Sequence, residues 1–334
     1  MRLVRVPVIA CLGVLLGGLV TGSPASAAGD RHFVASGRPA TIIVPTSITS
    51  GPDRALWFTN LGGKDNPGSI GQITTSGKVT LYTGRSIDGP VSITVGPDGA
   101  LWFTNSIGDS IGRITTKGKI TSYSARGVTN PIGITSGPLG DLWFTNAYSP
   151  GSFGLITTSG RITLRTSADI DDPVGIVAGP DATVWVTNAG TKTTKSSVAV
   201  LTAKGKITAY SGGGIDEPSG ITVGPDKLIW FTNYSGNSIG CIATGGLGNI
   251  FTGTGIDAPF SITSGRDGAL WFTNYSGNSI GRITVHGTVK NFTGPGIDGP
   301  TGITSGPDGA LWFTNSGNNS IGRITTLGKV TNYT

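Results

Sequence analysis

The chain has 334 residues, of which 56 are glycine and 13% are charged, with a formal net charge of +6 and only two cysteines. That balance excludes a disulfide-stapled scaffold and a long acidic or basic tail, and it describes a turn-rich chain whose solubility comes from Thr, Ser and Asn. The lysines and arginines recur at fixed repeat positions, as in Arg113, Arg282 and Arg323, so they are spread out and not gathered into a nucleic-acid groove.

At the N-terminus, Arg2 and Arg5 precede an uncharged apolar run over 6–20 and then the small residues Ala25-Ser26-Ala27. This is the pattern of a secretory signal peptide over 1–28, too short to span a bilayer, and the expectation is a secreted protein without a membrane span. Cys11 falls inside this leader, which leaves Cys241 alone and no intramolecular disulfide. Residues 29–46 form an N-terminal segment. Its 32–35 or 41–44 stretch could help ring closure by adding an outer strand to the last repeat, but 329–333 already supplies a fourth strand there, so one of these gives way or the N-terminal segment packs elsewhere.

Everything from 47 to 334 is periodic. Trp-Phe-Thr-Asn or a close copy begins at Trp57, Trp102, Trp143, Trp185, Trp230, Trp271 and Trp312, and no tryptophan lies outside the series. A period of about 40–45 residues with four short strand-like runs predicts one blade of a β-propeller per repeat. The fold class is therefore all-β, a seven-bladed propeller of four-stranded antiparallel blades, closed so that no long sheet edge is left exposed. In the last repeat Asp308-Gly309 and Leu327-Gly328 supply tight turns, because glycine reaches positive φ without a steric cost. Alternation along 311–315 puts Leu311, Phe313 and Asn315 on one face of the sheet and Trp312 and Thr314 on the other. The Asp-Gly and Thr-Thr-x-Gly-Lys turns then share one end of the ring. The opposite end carries the loops after each Trp-Phe-Thr-Asn and the Gly-Ile-Asp-x-Pro crossings between blades, and a ligand site is expected there.

The run Gly-Ile-Thr-x-Gly-Pro-Asp-Gly-Ala-Leu-Trp-Phe-Thr, followed by Ser-Ile-Gly-Arg-Ile-Thr-Thr-x-Gly-Lys-Val-Thr, closely resembles the blade of the virginiamycin B lyase (streptogramin lyase) family from about Ser47 to Thr334. The resemblance implies a seven-bladed propeller. It also implies, for the antibiotic-inactivating members, opening of a cyclic depsipeptide by elimination across its ester bond with Mg²⁺. The family's catalytic His and Glu positions fall here on Phe260, Gly299, Thr301 and Asn315. Elimination needs a base for the proton α to a carbonyl and a group that stabilises the charge left behind. None of these four side chains supplies either near neutral pH, or a charged Mg²⁺ ligand.

The remaining inventory is small. The histidines are His32 and His286, the latter expected at the turn end, and the one glutamate is Glu217, ahead of Pro218 on the crossing into blade five. The turn aspartates, such as Asp98 and Asp308, recur because the turn recurs and are expected to cap local backbone. Asp171, Asp172, Asp216 and Glu217 put four carboxylates on two successive crossings, a candidate oxygen-ligand set for a hard cation. The residue after the repeated Asn breaks the symmetry, with Tyr234 and Tyr275 on adjacent blades. Together with Phe260 and Glu217, and with Asn233 and Asn274 as hydrogen-bonding partners, they form the candidate ligand site, suited to a small molecule, a glycan or a peptide. The expected function is a secreted, monomeric recognition module without the lyase residues and without a cofactor. The alternative is a carbon-oxygen lyase working through a rearranged site, with Mg²⁺.

Overall fold

The computed structural model describes residues 33–34, 41–147, 151–191, 194–202 and 204–334. They form seven antiparallel sheets and no helix. The first sheet holds β1 (Phe33–Val34), β2 (Pro45–Ser50), β3 (Leu56–Asn60), β4 (Ser69–Ile73) and β5 (Val79–Thr83) in the order β1-β5-β4-β3-β2, with β2 innermost. The other six sheets have four strands each, over 90–123, 131–166, 173–211, 218–252, 259–293 and 300–333. The ring thus begins at Pro45, slightly ahead of the expected boundary at residue 47.

Of the alternatives for closure, the C-terminal strand fills the last blade and the N-terminal segment packs elsewhere. The N-terminal strand does not extend the last blade: Phe33 and Val34 pair with Thr83 and Tyr82 on the outer edge of the first. Blade seven completes itself with Val330–Tyr333, so its outer place is already filled. Closure comes from the inner strands.

Side-chain alternation along the second strand builds the interface between blades. Trp312, Ile321 and Tyr333 of blade seven pack with Ile48, Leu56, Phe58 and Ile73 of blade one, and Trp57 of blade one packs with Leu101 and Phe103 of blade two. The indole of each blade therefore covers the first and third residues of the next blade's second strand, Leu and Phe in most blades, Val184 and Val186 in blade four and Ile229 and Phe231 in blade five. Six of the seven tryptophans are almost wholly buried, and truncating one would cost about 3–5 kcal/mol.

The turn aspartate holds that indole in place. Asp98 accepts from Trp102 Nε1 at 2.9 Å and from Ala100 N at 3.3 Å, and Arg113 Nε reaches its other oxygen at 2.7 Å while the guanidinium lies over the indole. Asp267 and Asp308 repeat the arrangement with Trp271 and Arg282, and with Trp312 and Arg323. Burial pushes these carboxyls up, yet the indole and guanidinium hydrogen bonds together hold all three below the ordinary aspartate range. In blade four Thr183 Oγ1 takes the indole N–H of Trp185 instead of an aspartate, at 3.0 Å.

Each phenylalanine of the motif needs a glycine opposite. A Cβ on Gly112 would sit 2.1 Å from the Phe103 ring, and Gly322 stands in the same relation to Phe313. Blade four changes both partners together: Val186 replaces Phe and its cross-strand neighbour is Ala199. Introducing Val186→Phe alone should overpack the blade by about 1–3 kcal/mol, whereas Val186→Phe with Ala199→Gly should recover most of that loss in chemical denaturation.

A threonine from every blade pins it to the next. The inner strands carry a register break just after their proline, for instance between Pro300 and Ile303, which leaves a backbone N–H without a ladder partner. Thr314 Oγ1 accepts that N–H from Gly302 at 2.7 Å. It donates across the interface to Thr46 O at 3.1 Å, joining the two ends of the chain. Thr59, Thr104, Thr145, Thr187, Thr232 and Thr273 make the same bond to the following blade at 2.8–3.0 Å. In Thr314→Val the shape is kept while two buried backbone groups lose their partner, so unfolding should become easier by about 1–3 kcal/mol. Thr314→Ser should retain most of the wild-type stability in the same urea titration.

Candidate functional site

The register break turns the two residues after each proline toward the axis, where they line a cavity of about 150 Å³ at the crossing end. Its wall is apolar over blades two to four, through Val91, Ile132 and Val174. Phe260 faces it from blade six, and Thr46, Ser219 and Thr301 bring hydroxyls. No ionisable side chain lies in this lining. The hydroxyls are engaged: Thr301 Oγ1 donates to Pro45 O at 3.1 Å and lies 2.8 Å from Thr314 Oγ1, and Ser219 Oγ donates to Phe260 O at 2.7 Å.

Above the cavity stands an aromatic cluster. Tyr234, Phe260 and Tyr275 meet with ring centroids 6.3, 6.4 and 6.5 Å apart, the Tyr234–Phe260 pair edge to face. The rings are half-buried, and Leu61, Ala147 and Ala189 continue the apolar rim. The three aromatic residues anticipated from the sequence are therefore brought together, two of them by the same position in adjacent blades and the third by the crossing between.

The amides are not part of that surface. Asn233 Nδ2 donates to Gly214 O and Ser238 Oγ while Oδ1 accepts Asp216 N, and Asn274 repeats this with Gly255, Ser279 and Asp257. Both side chains are fully buried. Asn233 and Asn274 are corrected from ligand contacts to clamps that hold the crossing of their own blade. Asn315 is committed in the same way to Gly296, Ser320 and Asp298.

The residue before each crossing proline sets the rim. Val44, Gly89, Asn130, Asp172, Glu217, Ala258 and Gly299 all have φ between 42° and 60°. Their carbonyls accept the N–H that follows the repeated Asn, as in Tyr234 N to Glu217 O at 3.0 Å and Tyr275 N to Ala258 O at 3.0 Å. Their own N–H groups are held by the preceding blade: Asn237 Oδ1 takes Ala258 N at 2.7 Å, Asn278 Oδ1 takes Gly299 N at 2.6 Å, and Asn319 Oδ1 takes Val44 N at 2.7 Å across the closure. Nothing in the bare pattern Gly-Ile-Asp-x-Pro announces this conformation, since five of the seven residues are not glycine. The signal available was the asparagine or aspartate that precedes Ser in Asp109-Ser110, Asn237-Ser238, Asn278-Ser279 and Asn319-Ser320.

Glu217 and Asp172 occupy this rim position on neighbouring blades. Ser235 Oγ donates to Glu217 Oε2, and Glu217 N is held by Ser196 Oγ at 3.1 Å. Asp172 is pushed up to about 6, first by burial and then by the charges of Asp171 and Glu217. Asp171 accepts from Thr194 Oγ1, so the longer blade-four loop is tied to its crossing and is not simply solvated; Lys195 on it is exposed and Lys192 lies outside the described residues. Asp216 is exposed beside Gly236. Among the described residues no three acidic, histidine or cysteine side chains converge as a metal group. Phe260, Gly299, Thr301 and Asn315 do not fit a hard divalent cation either, because their polar atoms are absent or already bonded. His286 is exposed in a turn at the opposite end, and His32 lies outside the described residues.

Several comparisons bear on this geometry. The sequence signature of the virginiamycin B lyase family matches residues 33–213 and 213–334. A streptogramin B lyase structure is 30% identical, with a TM-score of 0.74 over 88% of this chain and 96% of its own. The virginiamycin B lyase of Staphylococcus aureus is also 30% identical, with a TM-score of 0.75 over 88% and 97%. A catalytically inactive histidine-to-alanine variant of that enzyme, solved with quinupristin, gives 0.76 over the same shares. Hydrazine synthase from Kuenenia stuttgartiensis, at 17% identity and a TM-score of 0.71 over 89% of this chain and 100% of its own, shows the fold alone. No curated protein matches the chain by sequence.

A carboxyl raised by burial destabilises the fold only where it is ionised. Asp172 binds its proton more tightly in the folded than in the unfolded chain, so its contribution is most favourable below about pH 4 and is lost as pH rises through about 6. Asp172→Asn should therefore melt higher than wild type between pH 6 and 8, with the gap closing toward pH 4, as followed by circular dichroism.

Proposed function

The chain belongs to the virginiamycin B lyase family, and we propose that it is a secreted, monomeric binding module that holds an apolar or aromatic ligand at the crossing-end funnel without converting it. The observation that supports this most is the funnel lining. It offers Val91, Ile132, Val174 and Phe260 to a ligand, beneath Tyr234 and Tyr275, and no ionisable group. The four positions to which the family resemblance assigns lyase chemistry hold Phe260, Gly299, Thr301 and Asn315, and a proton-abstracting step has no base among them. Among the described residues no helix is long and apolar enough to cross a membrane.

A second reading has one observation in its favour. Asp172, held near pH 6, has the affinity of a group that can take a proton near neutrality, and it stands beside Glu217 on the rim. A lyase working from this rearranged site would need both.

The probe is quinupristin, the compound solved with a relative. Mature protein should quench or shift its fluorescence saturably and return it unchanged by liquid chromatography with mass detection, with or without Mg²⁺. Tyr234→Ala with Tyr275→Ala should abolish that binding while moving the melting temperature little. Absence of saturable binding, or binding that survives in the double variant, would remove the funnel from the proposal. A product of unchanged mass and altered retention, lost on adding EDTA and in Asp172→Asn or Glu217→Gln, would establish the lyase reading instead.

A further inference from the structure

We propose that the ligand of this funnel is a cation: an ammonium or guanidinium group carried on an apolar or aromatic body. This rests on the reading of the funnel as a ligand site and adds the charge of what enters it.

The argument starts from what surrounds the aromatic cluster. Three consecutive crossings, 212–218, 253–259 and 294–300, and the three loops 234–237, 275–278 and 316–319 form the wall of blades five to seven at this end. Together they contain Asp216, Glu217, Asp257 and Asp298 and no lysine, arginine or histidine. The aspartates are fixed in place. Their backbone N–H groups are clamped by Asn233, Asn274 and Asn315, and their side chains lie against Gly236, Gly277 and Gly317 of the adjoining loops. Glu217 is turned to the loop of Tyr234 by the hydrogen bond from Ser235. Asp172, on the crossing just before, adds a further acidic group that feels the charge of Glu217.

Among the described residues Asp216, Glu217, Asp257 and Asp298 take part in no ion pair. Among the described residues the ion pairs are Arg113–Asp98, Arg282–Asp267 and Arg323–Asp308, all at the turn end of the ring. Within blades five to seven the rim charge is thus not offset by a basic residue, since Lys64, Arg85, Arg126 and Lys195 stand on loops and crossings of the other blades, and a concave mouth with apolar walls concentrates its field on whatever enters. Three aromatic faces at the same mouth favour the same sign, because a cation is attracted to the face of a phenyl or phenol ring while a carboxylate is not. The cavity below, lined by Val91, Ile132 and Val174, takes the uncharged body. An anionic ligand of equal shape would meet like charge at the rim and find no donor deeper in.

The test uses three fluorescent probes of one shape, 2-(1-naphthyl)ethylammonium, 2-(1-naphthyl)ethanol and 1-naphthylacetate, titrated into the mature protein at low ionic strength. The ammonium should bind roughly tenfold more tightly than the alcohol, and the carboxylate more weakly than either. That preference should shrink toward the level of the alcohol in about 1 M salt, where the Debye length is about 3 Å. Glu217→Gln with Asp257→Asn, which keeps the shape of both side chains, should remove most of the preference of the ammonium over the alcohol. Equal affinity for ammonium and alcohol, or a preference for the carboxylate, would overturn the charge inference while leaving the funnel as a neutral site. Failure of all three probes to bind, or binding that persists in Tyr234→Ala with Tyr275→Ala, would overturn the funnel itself and this inference with it.

Discussion

The hydroxyl of a buried threonine is the constraint on which this ring depends. A four-stranded blade has no use for its innermost backbone groups once its first strand breaks register after the proline, and those groups lie too deep for water to satisfy. Each threonine resolves this with one atom, accepting the stray N–H of its own blade and donating to a carbonyl of the next. The circle returns on itself through Thr314 and Thr46, so closure needs no exchanged strand. The N-terminal β1 is free to lie elsewhere, and does, on blade one.

Because the same pins recur, the repeated residues do one job and the variable ones another. Three positions per blade bring variable side chains to the crossing end: the residue before the proline, the residue after it, which lends its backbone carbonyl to the pin of the preceding blade, and the residue after the repeated Asn. In blade two they are Gly89, Val91 and Ser106; in blade five, Glu217, Ser219 and Tyr234; in blade six, Ala258, Phe260 and Tyr275. A sevenfold scaffold thereby presents an asymmetric mouth, apolar on one side and aromatic with carboxylates on the other. Recognition can be rewritten at these positions without altering what holds the ring, which is how one fold hosts unrelated functions.

Much of this was legible in the sequence, and the parts that were not share a cause. Tryptophan spacing gives the blade count, alternation gives which face Trp312 covers, and the Tyr234–Tyr275 pairing follows from equal positions in adjacent repeats. Asn233 and Asn274 were misplaced because period two assigns a sheet face, while the last residue of a strand is free to fold its amide back under the incoming crossing. The Val186 and Ala199 exchange is visible as a pair only through cross-strand register, which joins residues 13 apart in the chain. Sequence patterns report periodicity along the chain. They are silent on which side chain meets which backbone group across it.

The rim is also where every crossing carries a residue at positive φ. Seven pre-proline residues sit at positive φ, and for Val44, Asn130, Asp172, Glu217 and Ala258 that conformation costs roughly 1–2 kcal/mol each relative to a glycine. The conformation persists because the turn is determined from both sides, its carbonyl taken by the loop of the same blade and its N–H, as at Ala258 and Val44, by a side chain of the blade before. A backbone fixed in this way sets the direction in which each side chain leaves it. For Glu217 the hydrogen bond from Ser235 then fixes the carboxylate beside the loop of Tyr234, so scaffold and side-chain contact together place that charge next to the aromatic cluster.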